Sequence, residues 1–281
     1  MKNPLYRLII VSSLPVMAQM VSAQVLFTDN FTVSGGADAS TDGANKELAT
    51  RQGGTAATSS YTSYFTDTWN IQVGSSTDVA APDSNHLLLA RDGAVQNNLN
   101  ISASATGPLS ISFDMYNRET SDSPPANAWC AFTLQAAGAY PFPVVGGGEF
   151  GMLNRQNGGI QLFNGGGNME PGGWDTAGFA LDTHWSLTFA NTAGTGSAFD
   201  GTGSQVTIVN GTTTLGTITL AQLNSNLELG FRVDNSGFPA NLLLVGIDNL
   251  SVEVTAVPEP SSALLIPAGL GLLALVRRRR A

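Results

Sequence analysis

The chain has 281 residues, 12 Lys+Arg against 21 Asp+Glu, a formal net charge of −9 and one cysteine. That length holds one large or two small domains with a real core. A lone thiol excludes an internal disulfide, and an acidic surface disfavours nucleic acid.

The N-terminus reads as a targeting segment. Lys2 and Arg7 give a positive start, Leu8 to Val21 is mostly apolar, and Val21-Ser22-Ala23 is a small-residue cleavage box. Cleavage is expected after Ala23, leaving Gln24 first in the mature chain. The implied partners are the Sec export machinery and signal peptidase. Pro4 and Pro15 argue against a buried helix here.

From Gln24 onward, short runs of period two recur between turn signals, the pattern of an antiparallel sandwich or barrel. The clearest predicted strands are Leu109–Met115, Ala128–Gln135, Glu149–Leu153, Gly159–Phe163, His184–Ala190, Gln205–Val209, Thr213–Leu220, Leu227–Val233 and Leu242–Val254. Asn210-Gly211 is expected to supply the positive φ angles of a tight hairpin, and Asn157-Gly158-Gly159 reads similarly. Gly165-Gly166-Gly167 and Gly172-Gly173 mark an exposed loop, and Asn45–Ala49 is long enough for one helical turn. The opening run Leu26-Phe27-Thr28-Asp29-Asn30-Phe31 and the closing run Gly246–Val252 are expected to lie side by side.

The tail combines Pro258-Glu259-Pro260, an apolar run from Ser261 to Val276, and Arg277-Arg278-Arg279-Arg280. As a helix the run would span about 24 Å, short of a bilayer core of about 30 Å. Snorkelling arginine stems cover part of the deficit, and the four arginines should stay on the cytoplasmic side.

This tripartite tail resembles the PEP-CTERM sorting signal of Gram-negative bacteria. The resemblance implies transient anchoring in the inner membrane and cutting near Pro258-Glu259-Pro260 by an exosortase, a membrane-bound cysteine transpeptidase. Release to the cell surface or an exopolysaccharide matrix would follow; a permanent single-span anchor is the alternative. A second resemblance covers most of Gln24 to Ala256. The Asp-Asn-Phe opening, Leu48-Ala49-Thr50-Arg51-Gln52, the Ile-Ser-Phe-Asp strand near Leu109, the Gly-Gly-Ile-Gln-Leu-Phe strand, the Val-Asn-Gly hairpin and the Ile-Asp-Asn-Leu-Ser-Val close look like a concanavalin A-like, laminin-G-like jelly roll. It implies two packed antiparallel sheets and, in many relatives, a sugar-binding concave face.

The two end segments carry six of the 12 basic residues and one of the 21 acidic ones, so Gln24–Val257 keeps 6 and 20, a net of −14. No catalytic motif is found there. Jelly-roll hydrolases set carboxylates on alternate residues of one strand, whereas Glu149, Glu170, Asp175 and Glu228 are scattered singles read as solvated surface groups. There is no Gly-x-Ser-x-Gly elbow. His86 and His184 read as structural, and Cys130 as a buried packing thiol. No cofactor is expected beyond a candidate structural calcium: Asp29 and Asp248 could share one ion if their strands are neighbours, and Asp200 sits in another oxygen-rich turn. Trp174, followed by Asp175 in a glycine-rich loop, is the best candidate sugar contact, while Trp69, Trp129 and Trp185 read as core. The resulting expectation is a non-catalytic, exported β-sandwich that is structural or binds carbohydrate. The rival is a glycan-active extracellular enzyme.

Overall fold

Wherever the described chain alternates apolar and polar residues, it pairs as strand. The computed structural model describes residues 23–31, 61–64, 71–75, 85–90, 93–101, 105–119, 128–143, 149–234 and 243–255. All of these belong to one unit, Ala23–Val257. The strands in chain order are β1 (Gln24–Asp29), β2 (Tyr61–Tyr64), β3 (Ile71–Ser75), β4 (Asn85–Ala90), β5 (Ala94–Asn97), β6 (Leu109–Glu119), β7 (Trp129–Ala136), β8 (Phe150–Arg155), β9 (Ile160–Asn164), β10 (Gly167–Asn168), β11 (Thr183–Ala190), β12 (Ser204–Asn210), β13 (Thr213–Leu220), β14 (Leu227–Asp234) and β15 (Leu243–Val254). The calcium-motif residues Asp29 and Asp248 therefore sit on strands, and the Asn45–Ala49 turn and the whole C-terminal tail lie outside the described residues.

The strands form two antiparallel sheets. One has eight strands in the order β13-β12-β11-β6-β15-β4-β3, with β1 also on β15; the other has seven, in the order β10-β9-β8-β7-β14-β5-β2. Opening and closing strands are neighbours as expected: Gln24 pairs with Val254 and Asp29 with Leu250. The long β15 has β6 along one side and shares its other side between β4 and β1.

Inward positions of the two sheets meet in an aromatic centre. Phe113 of the eight-stranded sheet stacks on Phe132 at 5.6 Å and meets Phe231 edge-on at 5.0 Å. Phe132 also contacts Phe150, which in turn meets Phe189 at 5.2 Å. All are fully buried, as is Trp185. Burying such rings removes the largest apolar areas any side chain offers.

Two turns refine the sequence expectation. Asn210 still pairs with Thr213, so the hairpin loop is Gly211-Thr212, and only Gly211 takes a positive φ, 59°. Glycine at the first loop position with an ordinary second residue is the II′ pattern, not the I′ pattern that Asn-Gly suggested. The Asn210 amide instead donates to the Ala180 carbonyl at 2.9 Å. The I′ requirement falls on Gly165 and Gly166, at φ 60° and 79°, which join β9 to β10.

Candidate functional site on the outer face of the seven-stranded sheet

The sequence of β14, Leu227-Glu228-Leu229-Gly230-Phe231-Arg232-Val233-Asp234, alternates without a break. Leu227, Leu229, Phe231 and Val233 enter the core. Glu228, Gly230, Arg232 and Asp234 consequently share the opposite face. Register extends these into cross-strand rows: Asp234, Trp129 and Arg155 form one, and Arg232, Ala131, Leu153 and Gln161 another.

A strap formed by residues 137–143, between β7 and β8, folds back across this face. It can approach because two glycines lie beneath it. A Cβ on Gly151 would stand 2.0 Å from the Pro143 carbonyl oxygen, and one on Gly230 would stand 3.0 Å from the Pro141 ring. Side-chain acceptors hold the strap's start. Glu228 Oε2 accepts from Gly138 N at 3.1 Å and from Gln96 Nε2 at 2.8 Å. Glu149 Oε1 accepts from Ala136 N at 3.2 Å. The Tyr64 hydroxyl donates to Gln96 Oε1 at 3.0 Å and lies 3.3 Å from the Ala139 carbonyl. Burial, and then the Glu228 charge, push the Tyr64 phenol above its ordinary range. Further along, Gln135 Nε2 donates to the Phe142 carbonyl.

The strap delivers one aromatic ring to solvent. Pro141 and Pro143 are buried, whereas Phe142 between them is 40% exposed. Beneath it, the Arg232 guanidinium lies 4.8 Å from the Phe142 ring centre, 4.8 Å from Tyr140 and 5.3 Å from Trp129. Arg232 Nη2 is 3.4 Å from Asp234 Oδ2, and Arg232 Nε has no hydrogen-bond partner although the residue is only 8% exposed. Next to this cluster Arg155 Nη2 donates to Gln161 Oε1 at 2.6 Å. Chemically, the arrangement offers an aromatic face, fixed guanidinium donors and an amide, which is the equipment for holding a polar ring compound.

The sequence-predicted residues are distributed differently. Glu228 is buried and occupied with the strap, because backbone N–H groups laid over a sheet need acceptors there; the solvated-surface expectation is corrected for it. Trp174 opens a short 3₁₀ turn, Trp174–Thr176, and is half-buried. Its ring meets Phe179 edge-on at 5.7 Å and comes within 3.7 Å of where a Gly216 Cβ would stand. It thus packs against the inner side of edge strand β13. The Asp175 carbonyl lies so close to Gly159 that a Cβ there would be 1.9 Å away.

Asp29 and Asp248 are both buried, on neighbouring strands, but engage different partners. Asp29 accepts from Phe31 N at 2.8 Å and from the Tyr61 hydroxyl, across to the other sheet, at 3.0 Å. Asp248 stands opposite Asp114 in the β6–β15 register and accepts from Asn249 N at 2.7 Å. Among the described residues no group of three or more His, Cys, Asp or Glu could hold a metal. Asp200 Oδ1 accepts from Thr202 N at 2.8 Å and from its hydroxyl at 2.5 Å, a turn-closing arrangement that pulls its carboxyl below the usual range.

Of the histidines, His86 is fully buried in β4 as expected. His184 is not: its side chain is 48% exposed, and Nδ1 lies 2.7 Å from Asp114 Oδ1, whose Oδ2 accepts from Asn249 Nδ2 at 2.8 Å. Cys130 is buried, and desolvation drives its thiol strongly upward. Trp129, read as core, is half-buried on the outer face; Trp185 is core; Trp69 lies outside the described residues. Ala23 and Gln24, which flank the expected signal cleavage, are both exposed.

Fold and register together define an all-β, antiparallel two-sheet sandwich. Its C-terminal residues 256–280 match the PEP-CTERM protein-sorting motif, which includes Pro258, Glu259, Pro260 and Arg277–Arg280. That motif implies exosortase-dependent export with membrane-anchored sorting at the C-terminus. Among the described residues no helix is long and apolar enough to cross a membrane. No curated protein matches the chain by sequence. Among solved structures, it is similar to a carbohydrate esterase of the Shiga toxin-encoding bacteriophage phi24B, with 14% identity, a TM-score of 0.46, and 84% of this chain and 100% of that one covered. It is also similar to an alginate lyase of polysaccharide lyase family 7 (10% identity, TM-score 0.42, 66% and 83% covered). Peanut lectin is a third (14% identity, TM-score 0.37, 70% and 99% covered).

Proposed function

We propose that this chain is a non-catalytic carbohydrate-binding sandwich, displayed at the cell surface or in the extracellular matrix after an exosortase removes its tail near Pro258-Glu259-Pro260. The observation that carries the binding assignment is Phe142, held out to solvent by two buried prolines above Arg232, whose guanidinium also meets Trp129. An exposed ring next to fixed polar donors matches the apolar face and hydroxyl edge of a sugar. Trp174 and Asp175 form the weaker candidate contact, because the Trp174 ring is already committed to Phe179 and Gly216.

Binding of the full chain, purified in mild detergent, to a panel of neutral and acidic polysaccharides tests this reading. Retention on at least one glycan, lost in Phe142→Ala, is the expected result. Silence across the panel would make the sandwich an inert scaffold. Turnover of any polysaccharide that disappears in Glu149→Gln, Glu170→Gln or Glu228→Gln would replace binding by catalysis. For sorting, alanines at Pro258, Glu259 and Pro260 should leave an unprocessed, membrane-held chain; an unchanged mass and location would remove the processing step.

A further inference from the structure

We infer that the glycan held at the Phe142 face carries carboxylate groups, as in a uronic-acid polymer; this rests on the carbohydrate-binding reading above. Residues Gln24–Val257 contain only six Lys and Arg against 20 Asp and Glu. Two of those six, Arg155 and Arg232, lie on one outer face and flank the same residue, Trp129. Arg155 is its cross-strand partner, and Arg232 is stacked over its ring. Asp234 contacts Arg232 at 3.4 Å and offsets its charge, whereas among the described residues Arg155 has no carboxylate partner.

The environment of Arg232 points the same way. A guanidinium presents a rigid fork of donors that fits a carboxylate bidentately. Here the fork is only partly used: Nη2 has a long contact of 3.4 Å to Asp234, and Nε has no partner. Three aromatic rings around the guanidinium fix its plane, so little rotamer freedom remains to be lost on binding. Arg155, held by Gln161, is the second fixed cation on the same face. A neutral sugar offers these donors hydroxyl oxygens alone, whereas a carboxylate adds charge to the hydrogen bond.

Immobilised full-length protein in mild detergent can be titrated with polygalacturonate, with dextran as the neutral polymer and with dextran sulfate as the sulfated one. Polygalacturonate is expected to bind about tenfold or more tightly than either. Arg155→Gln should weaken it by about twofold to fivefold, the range for one partly exposed ion pair, and by more than it weakens dextran binding, with the melting curve unchanged. Arg232→Gln should act more strongly, and Arg155→Gln keeps the test valid if the buried substitution disturbs folding. Equal affinity for dextran and polygalacturonate, with Arg155→Gln neutral, would overturn the acidic specificity and leave carbohydrate binding standing. Preference for dextran sulfate over polygalacturonate would overturn the carboxylate assignment. Absence of binding to all three, with Phe142→Ala also without effect, would remove both readings.

Discussion

Gly151→Ala is the sharpest probe of the strap. A Cβ there would stand 2.0 Å from the Pro143 oxygen and 2.7 Å from that residue's Cα and carbonyl carbon. All three are backbone atoms, so no side-chain rotation relieves the clash, and the strap must lift by about 1.5 Å to restore ordinary contact. Overpacking of this kind costs about 1–3 kcal/mol. Lifting also weakens the Gln135–Phe142 hydrogen bond; leaving a buried donor unpaired adds about 1–3 kcal/mol. A total of roughly 2–6 kcal/mol corresponds to a fall in Tm of roughly 4–24 °C for a domain of this size. Thermal unfolding followed by far-UV circular dichroism reads this directly. Gly172→Ala is the matched control, because its Cβ meets nothing within 4 Å, and it should stay within ~0.5 kcal/mol of the parent. If both variants melt together, the strap does not lie on the sheet as described.

Other perturbations reach other parts of the sandwich. Phe132→Ala empties the centre shared by Phe113, Phe231 and Phe150 and should cost about 3–5 kcal/mol in a denaturant titration. Cys130, buried and with its thiol held protonated, should resist alkylation at pH 8 until the chain is unfolded; fast labelling of native protein would contradict its burial. Asp200 has a depressed folded pKa, so its contribution is complete above the ordinary carboxylate range and is lost as pH falls through the lower folded value. Asp200→Asn, which retains the acceptor for Thr202 N, should remove that acid-side step from a Tm-against-pH curve. Chelator should leave Tm unchanged, whereas a clear fall on adding EGTA would establish a structural calcium.

Much of the sandwich was legible because alternation is a local signal. Thr213–Leu220 coincides with β13, and Leu227–Val233 falls one residue short of β14. The neighbouring first and last strands were also readable from their matching Asp-Asn runs. The outer face of the seven-stranded sheet was less so. Glu228 looked like an isolated surface charge because nothing near it in sequence announces a strap arriving from residues 137–143. Tryptophan in a glycine-rich loop looks like an exposed aromatic, yet Trp174 fills the space left by Gly216. The usable signal was Pro141-Phe142-Pro143. Two prolines cannot donate to a ladder, so the phenylalanine between them was never going to be a core strand residue. The alternation of Glu228, Gly230, Arg232 and Asp234 was equally visible, but its meaning depends on which sheet face is covered.

The pairing of Gln24 with Val254 has a mechanical consequence. The chain leaves the sandwich through β15, which has neighbours along both sides, instead of through an edge strand. Load applied at Val254 along this strand is carried in shear by its hydrogen bonds to β6 and β1, and beyond them to β4. An edge strand would peel away one bond at a time.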